Sequence, residues 1–145
     1  MNFPDVVIKK CNDYANGEVY RTVNESIDLL GGIGVFVKKG ERILLKPNLL
    51  SAKPSEAAVT THPAVVRAVI QLVQEAGAIP VVGDSPGIGS AGKVAQKCGI
   101  AAVAKEFGVE IINLAASTSI ENPHGKTFKR LELSKEAIEV DGIIN

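Results

Sequence analysis

The sequence predicts an α/β fold, in which an open, mostly parallel sheet carries helices on both faces. Three short runs, "ILL" at 43–45, "IPVV" at 79–82 and "IINLA" at 111–115, are mostly apolar rather than alternating in polarity, and helix-like segments separate them. Strands that are apolar on both sides are typical of parallel sheets whose two faces are covered by helices. The order strand, helix, strand, helix, strand therefore indicates a Rossmann-like arrangement of three layers.

The first strand and the helix after it have the clearest local signals. The strand at 43–45 is expected to end at Lys46, because Pro47 cannot donate to a sheet ladder. Pro63 suits the first turn of a helix and Gly77 suits its end. Between them, apolar residues recur at the spacing of one helix face: Val66, Val69, Ile70 and Val73.

The remaining elements follow from shorter patterns. "GKVAQKCG" and "IAAVAKEFG" predict two short helices, and the apolar spacing from Val19 to Leu30 predicts another that "GG" terminates. "DVVIKKC" at 5–11 is a strand candidate, "TFKRLELS" an exposed or edge strand, and "SKEAIEV" a helical turn. We expect residues 1–145 to form a single α/β domain, with an edge hairpin or subdomain at 117–137. The final "DGIIN" begins an apolar strand, which suggests the N-terminal portion of a longer protein, a truncated part of a larger domain.

Composition excludes several classes of function. The chain of 145 residues carries 16 basic and 16 acidic side chains, so no net field attracts nucleic acid or an anionic membrane. No apolar run approaches the roughly 18 residues that span a bilayer, and no leader pattern is present, so we expect a cytoplasmic protein. The cysteines Cys11 and Cys98 cannot supply the ligands of an iron-sulfur cluster or a tetrahedral zinc site. The sequence therefore indicates no particular cofactor.

Polar residues are predicted at the carboxyl ends of the first two strands, which is the edge where open parallel sheets bind ligands. Lys46 can neutralise an anion, and Asp84 or His62 can handle a proton, so these three are the candidate catalytic residues. The candidate ligand-binding residues are Asn48, Thr60, Thr61, Ser85, Gly87, Gly89 and Ser90. Asp84 could also ligate a divalent cation, but we assign no metal site.

Each of these residues also has a purely structural interpretation. Asp84 can form an Asx turn or a helix cap, and His62 can cap the helix that begins after it. Lys46 can be a solvated strand end. Gly87 and Gly89 can serve a turn that needs positive φ.

The stretch "GDSPGIGSAGK", residues 83–93, matches two nucleotide-binding motifs only in part. As a P-loop, it has Val94 where a hydroxyl must hold Mg²⁺. As a dinucleotide-binding loop, it lacks the acidic residue that should follow the next strand and bind a ribose. We therefore interpret it as a sharp acidic elbow leading into a helix, which contacts an anion at most through Gly87, Gly89 and Ser90.

The blocks "ILLKPNLL", "TTHPAVVRAVIQLVQEAGA", "VVGDSPGIGSAGKVAQKCG", "EIINL" and "DGIIN" resemble, in this order, the family called domain of unknown function 362. The resemblance runs from about Glu41 to the end. It implies an α/β domain of bacteria and archaea that is often joined to a ferredoxin-like module with [4Fe-4S] clusters. Family members continue beyond "DGIIN" into a segment with proline and lysine. No cysteine-rich segment occurs here, so the resemblance places no cluster ligands in this chain.

Two hypotheses for the function remain open. The first is an enzyme domain that binds a small anionic metabolite at the carboxyl ends of the strands, with Lys46 and the backbone of residues 87–90 holding the anion. The alternative is a non-catalytic module of an iron-sulfur or redox protein, which docks a ferredoxin-like domain or partner. We expect no nucleic-acid or membrane partner in either case.

Overall fold

The computed structural model of the protein describes residues 3–145. Its helices are α1 (Asn16–Leu29), α2 (Ile33–Phe36), α3 (Pro63–Glu75), α4 (Ala91–Cys98), α5 (Ile100–Glu106) and α6 (Lys135–Ile138). Its strands are β1 (Arg42–Leu45), β2 (Ile79–Asp84), β3 (Glu110–Asn113), β4 (Ser117–Glu121), β5 (Arg130–Ser134) and β6 (Gly142–Ile144). A short 3₁₀ turn covers Ser55–Ala57.

Four of the strands form one parallel sheet in the order β3-β2-β1-β6. Leu45 of β1 is paired with Val82 of β2 on one side and with Ile144 of β6 on the other. The prediction that the first two apolar runs lie side by side in the same direction is therefore confirmed. As a consequence, the loops after β1 and β2 leave the same edge of the sheet.

Alternate residues of the central strands pack on opposite faces, as the pleat of a strand requires. Ile43 and Leu45 face a core shared with α3, α4 and α5. Leu44 faces the other side, where Val81 and Leu114 pack with Ala137 of α6. The sheet thus has helices on both faces, and the predicted three-layer α/β class is confirmed.

The long helix α3 forms where the sequence predicts it. It begins with Pro63 at its first position, and the chain leaves it through Gly77, which has φ of 78°. Positive φ is costly for residues with a Cβ, so glycine suits this exit. Helix α1 packs along α3 through Val19, which contacts Ala64 and Ala68.

Gly83 lies in the middle of the buried sheet and is required there by packing. A Cβ at this position would lie 2.8 Å from Cγ1 of Ile112 and 3.0 Å from Cδ1 of Leu44. The absence of a side chain at Gly83 leaves room on this face of β2 for the side chains of Ile112 and Leu44.

The strand predicted at residues 5–11 is wrong. This segment is irregular, its Ile8 is 92% exposed, and its Lys9 pairs with Glu25 of α1. The segment therefore runs along α1 instead of pairing with a sheet edge. At the other end of the chain, β4 and β5 form a separate two-stranded antiparallel sheet, with Ile120 opposite Leu131.

Candidate functional site

The candidate site lies at the carboxyl edge of the parallel sheet, between β1 and β6. Helices α3 to α5 cover one face of the sheet and α6 covers the other. The connection that leaves β1 therefore crosses one face of the sheet, whereas the connection that enters β6 comes from the other face. In open α/β sheets, such a switch in direction leaves a crevice outside the strand ends, and ligands bind in it.

Lys46 and Asp84 form an ion pair at this edge. Lys46 follows the last residue of β1 and Asp84 is the last residue of β2, so the parallel pairing of these strands brings the two side chains together. Nζ of Lys46 lies 2.9 Å from Oδ1 of Asp84. The Asp84 side chain is only 9% exposed, whereas the Lys46 side chain is 40% exposed.

The environment of Asp84 keeps its carboxyl group ionised. Burial by itself would raise the pKa of Asp84. Hydrogen bonds from Lys46 and from the backbone N–H groups of Leu49 and Ser85 outweigh burial, so the pKa lies below its ordinary value. The Leu49 N–H donates to Oδ2 over 2.8 Å, which leaves each carboxylate oxygen with a donor.

A cavity of about 320 Å³ opens beside Lys46, and we call it the Lys46 cavity. Its polar lining includes Asn48 and Thr61, and its apolar lining includes Val66 of α3 and Ile144 of β6. The cavity therefore combines one lysine with largely aliphatic walls, and a few polar groups among apolar walls are the usual make-up of a site for a small molecule.

Asn48 and Thr61 hold together the two ends of the loop between β1 and α3. The Asn48 N–H donates to Oγ1 of Thr61 over 2.9 Å, and the Thr61 N–H donates to the carbonyl of Asn48 over 3.0 Å. Nδ2 of Asn48 donates to the carbonyl of Val59 over 3.1 Å. Leu49 and Thr60 form an antiparallel bridge next to them. These side chains thus shape the wall of the Lys46 cavity while bonding within the loop.

His62 caps helix α3. Its Nδ1 accepts a hydrogen bond from the Ala64 N–H over 3.2 Å, and its ring stacks on Tyr14 with 3.8 Å between the centroids. Thr60, two residues earlier, is 9% exposed, and within residues 3–145 its Oγ1 has no hydrogen-bond partner. His62 and Thr60 line a second cavity, distinct from that of Lys46.

The glycine loop after Asp84 is an exposed turn whose helix N-terminus is already capped. Gly89 has φ of 87°, and Ser90 accepts the Lys93 N–H through its hydroxyl over 3.4 Å. The Ala91 N–H, the first of α4, donates to Oδ1 of Asn113 at the end of β3 over 3.0 Å. Two of the N–H groups that could otherwise bind an anion at this helix N-terminus therefore already donate to protein acceptors.

The structure divides the predicted site residues into three groups. Lys46 contacts Asp84 and shares its cavity with Asn48 and Thr61, and Thr61 also lines the second cavity with Thr60 and His62. Ser85, Gly87, Gly89 and Ser90 line neither cavity.

Sequence reasoning missed Tyr14 and Asn113. Tyr14 is an isolated aromatic residue in an irregular segment, and Asn113 caps a helix that begins 22 residues before it in the chain. Ser90, directly before α4, is the only capping signal that the local sequence offers there.

Residues 3–145 contain no cluster of three or more His, Cys, Asp or Glu side chains that could hold a metal ion. Within the same residues, no helix combines the length and the hydropathy needed to cross a bilayer. Cys11 is exposed and Cys98 is buried, and both are free thiols.

Comparisons with known proteins place the chain in a family. It is 39% identical over 140 residues to a thylakoid-associated protein of Synechocystis sp., a match that covers 97% of this chain and 43% of the relative. The chain thus spans less than half the length of the relative. No solved structure matches it. The family model "Domain of unknown function (DUF362)" matches residues 43–145, and the protein therefore belongs to the DUF362 family.

Proposed function

We propose that this domain binds a small anionic metabolite in the Lys46 cavity, as an enzyme or as part of one. The observation that carries the proposal is Lys46, which lines a cavity between strand ends and whose Nζ is held 2.9 Å from a buried carboxylate. A lysine fixed in this way is preorganised, because its ordering does not have to accompany ligand binding.

The pair of Lys46 and Asp84 is neutral overall, so its main contribution to ligand binding is a set of hydrogen-bond donors in fixed positions. The Lys46 ammonium has three N–H donors, of which one serves Asp84, so two remain for a ligand. Because the pair is neutral overall, we expect modest affinity for a simple anion. Asp84, with its lowered pKa, suits the role of a positioning residue, and a proton passed to the ligand would come from Lys46.

The walls of the Lys46 cavity narrow the ligand class. Val65, Val66 and Val69 of α3 and Ile144 of β6 present aliphatic side chains to it. A carboxylate or phosphate with a short apolar body would bury that body against these walls and place its charge at Lys46.

Amide NMR with benzoate and inorganic phosphate tests this proposal. We expect either anion to shift the amide signals of residues 46–48, 61 and 144, and Lys46→Met to remove the shifts. Lys126→Met, in the exposed loop of the hairpin, is the matched control and should leave them unchanged. Shifts that persist in Lys46→Met, or no shift at these residues with either anion, would contradict the proposal.

A second candidate function is the docking of a ferredoxin-like domain or redox partner, favoured by the apolar surface beside β6. Phe36 of α2 and Ile143 of β6 are 52% and 50% exposed and line one groove with Ile27 and Ile33. Hydrogen–deuterium exchange with an added [4Fe-4S] ferredoxin would then slow at residues 142–144, and Ile143→Asp would abolish the effect. Ile88→Asp, in the exposed glycine loop, is the control. Exchange that the ferredoxin leaves unchanged would count against docking.

We also propose a cytoplasmic location, without a nucleic-acid or membrane partner. Two free cysteines, one of them exposed, suit a reducing compartment, and the balanced charge offers no field for polyanions. The relative is thylakoid-associated, so a membrane surface is the competing location. Cell fractionation decides between them, because recovery with salt-washed membranes would reject the cytoplasmic proposal.

A further inference from the structure

A second cavity of about 510 Å³ adjoins the Lys46 cavity, and we call it the Tyr14 cavity. Tyr14, Glu56, Thr60 and His62 contribute its distinctive side chains. Thr61 and Val65 line both cavities, so the two spaces adjoin at the start of α3. A single molecule that lay across these two residues would contact both spaces.

The hydrogen-bonding groups of the Tyr14 cavity are complementary to those of the Lys46 cavity. Nδ1 of His62 accepts the Ala64 N–H, so in the neutral ring the proton is on Nε2. Glu56 offers a carboxylate, whose pKa is lowered by hydrogen bonds from its own backbone N–H and from the Ser55 hydroxyl. The Lys46 end thus suits an anion, whereas the Glu56 end suits an N–H donor.

Thr60 places a buried hydroxyl beside this cavity. The residue lines the cavity and is more than nine-tenths buried, and within the described residues its hydroxyl has no hydrogen-bond partner. Buried hydroxyls in folded proteins are nearly always satisfied, and a ligand or an ordered water supplies the partner when protein atoms do not.

The stacked rings of Tyr14 and His62 determine which shape of ligand group fits the Tyr14 cavity. The rings of Tyr14 and His62 are nearly parallel, with 19° between their planes, and Tyr14 is 61% exposed. Flat ring faces beside the aliphatic side chain of Val65 favour a planar group over a bulky one. An Asx turn fixes this arrangement, because Oδ1 of Asp13 accepts the Ala15 N–H over 2.8 Å.

We propose that the Tyr14 cavity binds the planar, N–H-bearing end of the molecule whose anionic end lies at Lys46. This inference rests on the proposed function and extends it to a ligand class: a small carboxylate or phosphate joined to an aromatic or amide group that donates a hydrogen bond to Glu56.

Three related probes test the inference by amide NMR: benzoate carries the anion and the ring, aniline the ring and the N–H donor, and para-aminobenzoate all three. We expect para-aminobenzoate to bind about tenfold more tightly than benzoate, as one hydrogen bond to a charged group allows. Its additional signal shifts should fall at residues 14, 56 and 60–62.

Variants separate the two cavities. Glu56→Gln should reduce the affinity for para-aminobenzoate to that of benzoate and leave benzoate binding unchanged. Tyr14→Phe should retain the gain because it keeps the ring, and Glu132→Gln on the exposed hairpin is the remote control.

The outcomes distinguish this inference from the proposed function. Equal affinities for para-aminobenzoate and benzoate, with both bound at Lys46, would overturn the inference alone, and Thr60 would then be satisfied by water only. If benzoate fails to bind while aniline shifts the amide signals of residues 14 and 56, the proposed anion site at Lys46 is wrong. The inference that one molecule occupies both cavities is then wrong as well.

Discussion

Asp84 accepts hydrogen bonds on both carboxylate oxygens from the loop that follows the neighbouring strand: from Nζ of Lys46 over 2.9 Å and from the N–H of Leu49 over 2.8 Å. A residue at the end of β2 thereby fixes the path of the chain after β1. The same contact that positions the candidate anion-binding lysine also anchors the loop, so ligand binding and stability are expected to respond together to changes at Asp84.

The contribution of Asp84 to stability should depend on pH. Its folded-state pKa lies below the ordinary value, so the stabilisation is fully present above the unfolded pKa of about 4 and is lost as the pH falls through the folded pKa. We therefore expect the difference in unfolding free energy between wild type and Asp84→Asn to be constant near neutrality and to shrink below about pH 4. Denaturant titrations at several pH values measure it. A difference that grows on acidification would show that the carboxylate is not stabilised by its neighbours.

Lys46→Met should raise the pKa of Asp84. Without the ammonium, burial is opposed only by the backbone donors at Leu49 and Ser85. Because the ion pair is partly exposed to solvent, its removal costs less free energy of unfolding than the removal of a fully buried pair. We therefore expect a destabilisation of about 1–3 kcal/mol at neutral pH. Carboxyl-carbon NMR titration reports the pKa directly. An unchanged pKa would mean that the ion pair does not persist in solution.

Much of the fold could be predicted because its signals are local. Pro47, Pro63 and Gly77 each restrict the backbone in a known way, and they bound β1 and α3. Strand pairing has no such signal. The apolar segment at 5–11 satisfies the pattern of a strand, but its location beside α1 is decided by tertiary contacts such as that of Lys9 with Glu25.

The sequence predicts only those residues of the candidate site that lie at the ends of strands. Lys46 and Asp84 are far apart in sequence, yet the rule that parallel strands end at one edge puts them together. Tyr14 follows no such rule, because it precedes the sheet and reaches His62 only through the packing of α1 on α3. The Asn113 cap likewise depends on β3 lying beside β2.

Thr60→Val should leave the free protein as stable as the wild type or slightly more so. The buried hydroxyl has no partner in the described part of the chain, so replacing it with a methyl group removes a desolvation cost. Thr61→Val is the matched control, because its hydroxyl accepts the Asn48 N–H and its loss should cost about 1 kcal/mol. Thermal unfolding compares the two variants. Equal destabilisation would show that a bound water holds the Thr60 hydroxyl.

Gly83→Ala should destabilise the protein by about 1–3 kcal/mol, as overpacking of a core does. The added Cβ would lie 2.8 Å from Cγ1 of Ile112, so the side chains of Ile112 and Leu44 must shift to admit it. Gly87→Ala, in the exposed loop with no atom within 4 Å of an added Cβ, should be nearly neutral. A denaturant titration of each variant gives the comparison, and similar stability for both would refute the close packing of Ile112 and Leu44 over Gly83.

Asn113→Ala should destabilise helix α4 by about 1 kcal/mol, the usual effect of losing a capping side chain. Oδ1 of Asn113 is the acceptor for the Ala91 N–H, so its removal leaves that donor free at the start of the helix. Asn113→Asp keeps an acceptor and should retain the stability, aided by the positive end of the helix dipole. The Ala variant should also bind inorganic phosphate near residues 89–91, as amide NMR would report, because an anion can occupy the vacated position. If Asn113→Ala matches the wild type in both stability and phosphate response, the Asn113 side chain is not what caps α4.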